Sequence, residues 1–221
     1  MKNTVKTALK DSVPVMAGYV VLGTGFGIIM NVNGYGIWWA LAMSLFVYAG
    51  SMQFASIGLL TGGASLLTVA LTTLAVNARH LFYGISMIDR YKDTGAKKPY
   101  LIFVLTDETY SLVCSGEHSK DYYFLVSLFN QIYWVAGTLI GAVLGSTLHF
   151  NTQGIDFALT ALFLTVFTEQ WLSSKEHFSA IAGVAISVTS LLIFGPDRFL
   201  IPAMAVIAAV LLLRRKVSAH D

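Results

Sequence analysis

Long apolar runs separated by short polar gaps dominate the chain. They lie at about 12–32, 37–60, 64–88, 99–116, 122–148, 156–173, 178–195 and 198–213. Most approach the roughly 20 residues that a helix needs to cross about 30 Å of hydrocarbon. Runs such as Ile201 to Leu213 do not alternate, which excludes the strands of a membrane barrel. Backbone groups facing lipid must pair within their own segment, and that leaves helices. The pattern predicts an all-α, polytopic integral membrane protein of seven or eight helices, some broken or re-entrant. Residues 1–221 form a single transmembrane domain in this reading.

Composition agrees with the pattern. Hydrophobic residues make up 56% of the 221 and charged residues 12%, against about 25% charged in a soluble domain. Mean hydropathy is +0.69. Too few charges are present to coat a water-facing surface. The single cysteine, Cys114, cannot form an intramolecular disulfide. A net charge of +2 gives no reason for a nucleic-acid partner. Ten of the fourteen basic residues fall in three patches: Lys2, Lys6 and Lys10; Arg90, Lys92, Lys97 and Lys98; and Arg214, Arg215 and Lys216. The positive-inside rule places all three patches in the cytoplasm. Three full spans between the first two patches would break that rule, so one broken segment is expected to be re-entrant. The run from Val13 to about Met30 has no small-residue cleavage site and reads as a retained span, not a leader.

The chain also resembles itself. A shift of 118 residues pairs Gly23 with Gly141, Gly27 with Gly145, and Gly36-Ile37 with Gly154-Ile155. One residue of slip pairs Gln53-Phe54 with Gln170-Trp171. The order of these features predicts a two-fold internal repeat with halves 12–98 and 122–216, joined by a helix around 99–116. Inverted halves suit the charge pattern. Such repeats belong to secondary transporters, which bind their substrate between the halves.

Candidate chemistry lies where polar residues interrupt apolar runs. Asp107 and Glu108 sit mid-segment, where each acid costs about 2.5–3.5 kcal/mol on insertion scales. Either they serve an ion or substrate site, or the segment is a loop between shorter helices. Arg79 lies deep in its segment and keeps its proton, so it needs a counter-charge, with Asp107 or Glu108 the natural partner. Such a pair either fixes helix register or leaves Arg79 to receive a substrate carboxylate. Asn77 and His80 flank it, and His80 is a candidate proton relay. Gln53 puts an amide in an apolar run, with Gly50 and Ser51 before it allowing a helix break or a close approach. Thr168-Glu169-Gln170 occupies the matching place in the second half. Three acids, Asp107, Glu108 and Glu169, stand against one arginine. Burial and like charges raise carboxylate pKa values, so one acid is expected to exchange a proton during a transport cycle. Gly23 and Gly27, with Gly141 and Gly145, form small-residue stripes suited to helix packing. Gly23-Thr-Gly25-Phe-Gly27 follows no strand and is not a nucleotide fingerprint. His118 and His149 lack metal-ligand spacing. No catalytic residue, cofactor or metal is expected.

Three stretches, Tyr48-Ala-Gly-Ser-Met-Gln53-Phe, Asn77-Ala-Arg79-His80-Leu-Phe-Tyr83-Gly and Thr106-Asp107-Glu108-Thr-Tyr110, resemble the signature stretches of the AzlC family in order and spacing. The resemblance is specific in the first half and looser after about residue 125. It implies a multi-pass protein of the bacterial inner membrane, the large subunit of a branched-chain amino acid exporter. Such a subunit works with a small AzlD-type membrane partner and exports valine, leucine, isoleucine and methionine. The residues suit a zwitterion: Arg79 or a broken-helix N-terminus for the carboxylate, Asp107 or Glu108 for the ammonium, and Met52, Phe54 and Phe82 for an apolar pocket. The competing readings are a channel for a small polar solute, an exporter of another amino acid, an intramembrane enzyme and an assembly subunit.

Overall fold

The structure is a computed structural model. It describes residues 2–114, 118–147 and 176–195 continuously, with isolated positions between 164 and 172 and between 199 and 214. For Lys2, Arg79, Leu81 and Phe82 it describes the backbone alone. The regular elements among the described residues are all helical. The chain divides into two compact units, Met1–Ala158 and Leu159–Asp221.

The first unit contains α1 (Lys2–Val32), α2 (Ile37–Phe46), α3 (Gly50–Thr61), α4 (Leu66–Val76), α5 (Arg79–Met87), α6 (Lys98–Phe103), α7 (Asp107–Val113) and α8 (Lys120–Thr147). Residues Asn3–Val32 of α1 and the whole of α8 are long and apolar enough to cross a membrane. These two helices pack along a seam of glycines. A Cβ on Gly23 would lie 2.8 Å from the Trp134 carbonyl oxygen, and one on Gly137 would lie 2.7 Å from that of Val20. Gly27 meets Thr138 and Ala142, Gly141 meets Thr24, and Gly145 meets Ile28 and Asn31. Without side chains the two backbones touch. Residue numbers rise together along the seam, so α1 and α8 run in the same direction.

α1 begins ten residues before the apolar run, at Lys2. Ala8 holds that extension down. It is fully buried among Met87, Tyr91, Leu101, Leu105, Val113, Tyr122, Tyr123 and Val126. This cluster marks one end of the α1–α8 pair, here the near end.

Three apolar segments that read as single helices are each interrupted, and none of the interruptions contains a proline. In 37–60 the break is Val47-Tyr48-Ala49, where Tyr48 takes a φ of 43°. In 64–88 it is Asn77-Ala78, where the Asn77 N–H still bonds the Thr73 carbonyl oxygen. In 99–116 it is Val104-Leu105-Thr106. Thr106 is extended, and its hydroxyl oxygen accepts the Thr109 N–H at 3.3 Å. Hydroxyl capping of this kind starts a new helix. Residues 99–114 thus hold two short helices, as in the loop alternative, but Asp107 and Glu108 form the first turn of the second.

Partners along α1 and α8 give each half-helix its direction. Lys97, just before α6, pairs with Asp121 at the start of α8 at 2.8 Å. Tyr100 donates to Gln131 at 2.7 Å, further along α8. α7 retraces the path. Thr106 lies at Tyr19, Thr109 is bonded by Asn130, and Val113 is back in the near-end cluster. Residues 98–113 thus enter from the near end and leave by it.

α2 and α3 do the same from the far end. The Ser44 hydroxyl lies 2.8 Å from that of Thr138. Gly50 abuts the Trp134 ring, and Phe54 then reaches Phe26, with ring centroids 5.6 Å apart. Gln53 donates to Ser44 at 3.0 Å. Nine residues of unbroken helix would separate those two by about 13.5 Å along the axis, so the chain turns sharply at Tyr48. After Gly62 and Gly63, α4 passes Met52, whose sulfur accepts the Thr73 hydroxyl at 3.7 Å. α5 ends at the near end with Met87. The two basic patches at Lys6–Lys10 and 90–98 consequently share one end.

In the second unit α9 (Phe178–Phe194) stops at Gly195, whose φ of 73° favours glycine. Arg214 pairs with Glu176 at 3.0 Å, and its guanidinium lies 4.2 Å from the Phe178 ring centroid.

Candidate functional site

The turn between α6 and α7 meets α1 and α8 through an unbroken series of polar contacts. The Tyr19 hydroxyl of α1 donates to Glu108 Oε2 at 2.7 Å and lies 2.6 Å from Thr106 Oγ1. Thr106 donates to Thr109 Oγ1 at 3.0 Å, and Asn130 Nδ2 of α8 donates to that same oxygen at 2.9 Å. Thr109 and Asn130 are fully buried. Asn130 Oδ1 is buried with no hydrogen-bond partner. Glu108 is half-buried, and with Asp107 it forms an acidic first turn, the favourable end of a helix for negative charge.

The turn between α2 and α3 is tied to the same stretch of α8. Trp134 donates its indole N–H to Gln53 Oε1 at 3.0 Å. Gln53 is fully buried, and its Nε2 donates to Ser44, which meets Thr138. Gly50 sits under the Trp134 ring, and a Cβ there would come within 3.0 Å of it. Ser51 lies in the first turn of α3. The two turns are neighbours. Tyr48 and Phe103 have ring centroids 6.4 Å apart, and Tyr19 packs edge-on against Trp134 at 5.4 Å.

The α4–α5 break supplies the third set. His80 Nδ1 lies 3.1 Å from the Asn77 carbonyl oxygen. Its ring packs on Tyr83, which stacks on Tyr110 of α7 at 4.4 Å. The backbone of Arg79 opens α5. Its side chain lies outside the described residues, so the expected ion pair with Asp107 or Glu108 is not described. Glu169 and Gln170 also lie outside them. Of the pocket residues, Phe54 is buried against Phe26, Met52 is buried beside Thr73, and the Phe82 side chain is outside the described set. Gly23, Gly27, Gly141 and Gly145 lie in the helix seam, where Gly23 and Gly27 pack on the backbone of Trp134 and Thr138.

The arrangement brings Gln53, Glu108 and Asp107 toward one level of α1 and α8. Sequence reasoning missed Tyr19, Ser44, Thr106, Thr109, Asn130, Trp134 and Thr138. Asn130 carries the signal that singled out Gln53, an amide inside an apolar run. Tyr19 carries none, because a tyrosine in an apolar helix reads as packing. Chemically, a carboxylate backed by a tyrosine hydroxyl can hold an ammonium group or a proton. Among the described residues no three His, Cys, Asp or Glu gather to hold a metal ion.

The AzlC family model, described as AzlC protein, matches residues 14–148. The branched-chain amino acid transport protein AzlC of Bacillus subtilis (strain 168) is 44% identical over 216 residues, covering 96% of this chain and 85% of that protein. An uncharacterized membrane protein of Helicobacter pylori (strain ATCC 700392 / 26695) is 41% identical over 216 residues, covering 96% and 95%. The inner membrane protein YgaZ of Escherichia coli (strain K12) is 29% identical over 209 residues, covering 91% and 84%. No solved structure matches.

Proposed function

This chain belongs to the AzlC family, and we propose that it is the large subunit of a secondary transporter. It exports valine, leucine, isoleucine and methionine across the bacterial inner membrane, coupled to protons and together with a small AzlD-type membrane subunit. The name of the Bacillus subtilis relative supports the substrate class. The observation that carries the reading is the meeting of two V-shaped segments, from opposite ends of the α1–α8 pair, with Glu108 at one tip and Gln53 beside the other. Interrupted helices that meet around polar groups are how carriers build a site that either side can reach.

In this reading α1, α4–α5 and α8 each cross the membrane once, and 37–61 and 98–113 are re-entrant. The shift of 118 residues relates α1 to α8, and their common direction supports parallel halves in place of inverted ones. Asp107 or Glu108 takes the substrate ammonium, and Arg79 takes its carboxylate. One of the acids exchanges a proton between conformations.

The test is counterflow in proteoliposomes carrying this chain with and without its small partner. Leucine, valine, isoleucine, methionine and lysine are compared, with and without a pH gradient. Saturable trans-stimulation by the branched-chain substrates supports a carrier. Flux without trans-stimulation supports the channel reading.

A further inference from the structure

We propose that Glu108 is the group that takes up and returns the coupling proton, and that Tyr19, Thr106 and Thr109 pass its protonation state to Asn130 on α8. The inference rests on the proton-coupled reading above and deepens it.

The polar contacts form one series. Glu108 to Tyr19 is 2.7 Å, Tyr19 to Thr106 is 2.6 Å, Thr106 to Thr109 is 3.0 Å, and Thr109 to Asn130 is 2.9 Å. Counting protons shows what the series does. Its three oxygen-to-oxygen links are served by three hydroxyl protons, because each hydroxyl has one to donate. With Glu108 ionised, every hydroxyl turns toward the carboxylate. Tyr19 donates to Glu108 and Thr106 to Tyr19, which reverses the Thr106–Thr109 bond from the direction it has in the structure, so that Thr109 donates to Thr106. All three links are then filled, and the Asn130 amide donates into Thr109. When Glu108 takes one proton from water, four protons face three links. Glu108 then donates to Tyr19, Tyr19 to Thr106, and Thr106 to Thr109, and the Thr109 proton is displaced.

The displaced donor needs an acceptor in a dry site, because an unmade hydrogen bond there is costly. Asn130 Oδ1 is that acceptor, buried and without a partner. Receiving the proton of Thr109 requires the Asn130 amide to turn. No proton travels along the series. The hydroxyls rotate, and the added proton stays on Glu108 until water on the other side removes it, one taken and one returned per cycle. Asn130 lies one helical turn before Trp134, which holds Gln53. A change at Glu108 on one re-entrant segment therefore reaches the turn of the other.

The titratable neighbours are few. Tyr19 faces Glu108 from α1 and Tyr48 from the α2–α3 turn, and Tyr100 of α6 lies beside Tyr48. Asp107 precedes Glu108 on α7. α5, opened by Arg79, presents Tyr83 to Tyr110 with His80 behind it. From α8 come Asn130 and Trp134, which do not titrate.

The experiment uses the full chain with its small partner in proteoliposomes and compares wild type with Tyr19→Phe, Thr109→Val and Thr109→Ser. Leucine counterflow without a pH gradient reads substrate handling. Leucine movement driven by a pH gradient, and its pH profile, read coupling. Tyr19→Phe and Thr109→Val are expected to lower gradient-driven movement at least tenfold and flatten the pH profile, and Thr109→Val, which lies away from the carboxylate, to keep counterflow within threefold of wild type. Thr109→Ser keeps both. The infrared carboxyl band of protonated Glu108, identified by its absence in Glu108→Gln, should shift in Tyr19→Phe. Wild-type coupling in Tyr19→Phe and Thr109→Val overturns the proposal. So does a Thr109→Ser protein that behaves like Thr109→Val, an unshifted band, or parallel loss of counterflow in Thr109→Val. A wild-type protein that exchanges leucine with no pH dependence overturns the coupling reading itself, and one that exchanges no amino acid overturns the proposed function.

Discussion

Trp134 on α8 donates its indole N–H to the side-chain oxygen of Gln53 on α3 at 3.0 Å, with both residues buried. The bond is the anchor of the α2–α3 turn. An indole N–H is a donor only, and a glutamine amide offers both functions. Gln53 therefore accepts from α8 with one end and donates to Ser44 of α2 with the other.

Replacing Gln53 by leucine strands the indole N–H in a buried place and leaves the Ser44 hydroxyl with Thr138 as its partner. The loss should be about 1–3 kcal/mol, seen as a lower unfolding midpoint of the detergent-solubilised protein. Trp134→Phe should cost a similar amount. The double substitution should cost less than the sum of the two, because each has already broken the same bond. Strict additivity would mean that the bond contributes nothing.

The glycine seam predicts a steep size dependence. A Cβ at Gly141 would overlap the Thr24 carbonyl, whereas one at Gly84 meets nothing within 4 Å. Gly141→Leu should lower stability by at least about 1–3 kcal/mol, the usual range for overpacking. Gly84→Ala should leave stability unchanged or raise it by about 0.5–1 kcal/mol. Thermal unfolding of the two purified variants checks both.

Tyr48 holds a φ of 43° at the α2–α3 turn. β-branched residues tolerate that region poorly, and asparagine accepts it. Tyr48→Val should be less stable than Tyr48→Asn by about 1–2 kcal/mol, although valine is the more apolar of the two. The unfolding midpoints give the order directly, and the reverse order would mean that burial decides at this position.

Much of the site is visible in the sequence as polar residues inside apolar runs. Each of the three signature stretches coincides with a helix break, at Tyr48, Asn77 and Thr106. The direction taken after a break is not visible there. Residues 37–60 have the length and hydropathy of a span, and the turn at Tyr48 depends on contacts with Ser44, Trp134 and Phe26 from far along the chain. The expected single helix over 99–116 hides its break for the same reason. Neither Val104 nor Leu105 disfavours a helix strongly, and only the Thr106 hydroxyl, shared with Tyr19 and the Thr109 N–H, marks the boundary. Tyr19 and Trp134 gain their roles from what packs against them, and the residues alone read as ordinary aromatic core.

We propose that 37–61 and 98–113 enter the membrane from opposite faces, each leaving by the face it entered. Single cysteines at Asn33, Thr61, Asp93 and Lys120, in a Cys114→Ser background, test it with an impermeant thiol reagent applied to oriented membrane vesicles. Asn33→Cys and Thr61→Cys should react from one face, and Asp93→Cys and Lys120→Cys from the other. Labelling of Asn33→Cys and Thr61→Cys from opposite faces would make 37–61 a full crossing and rule out its re-entry.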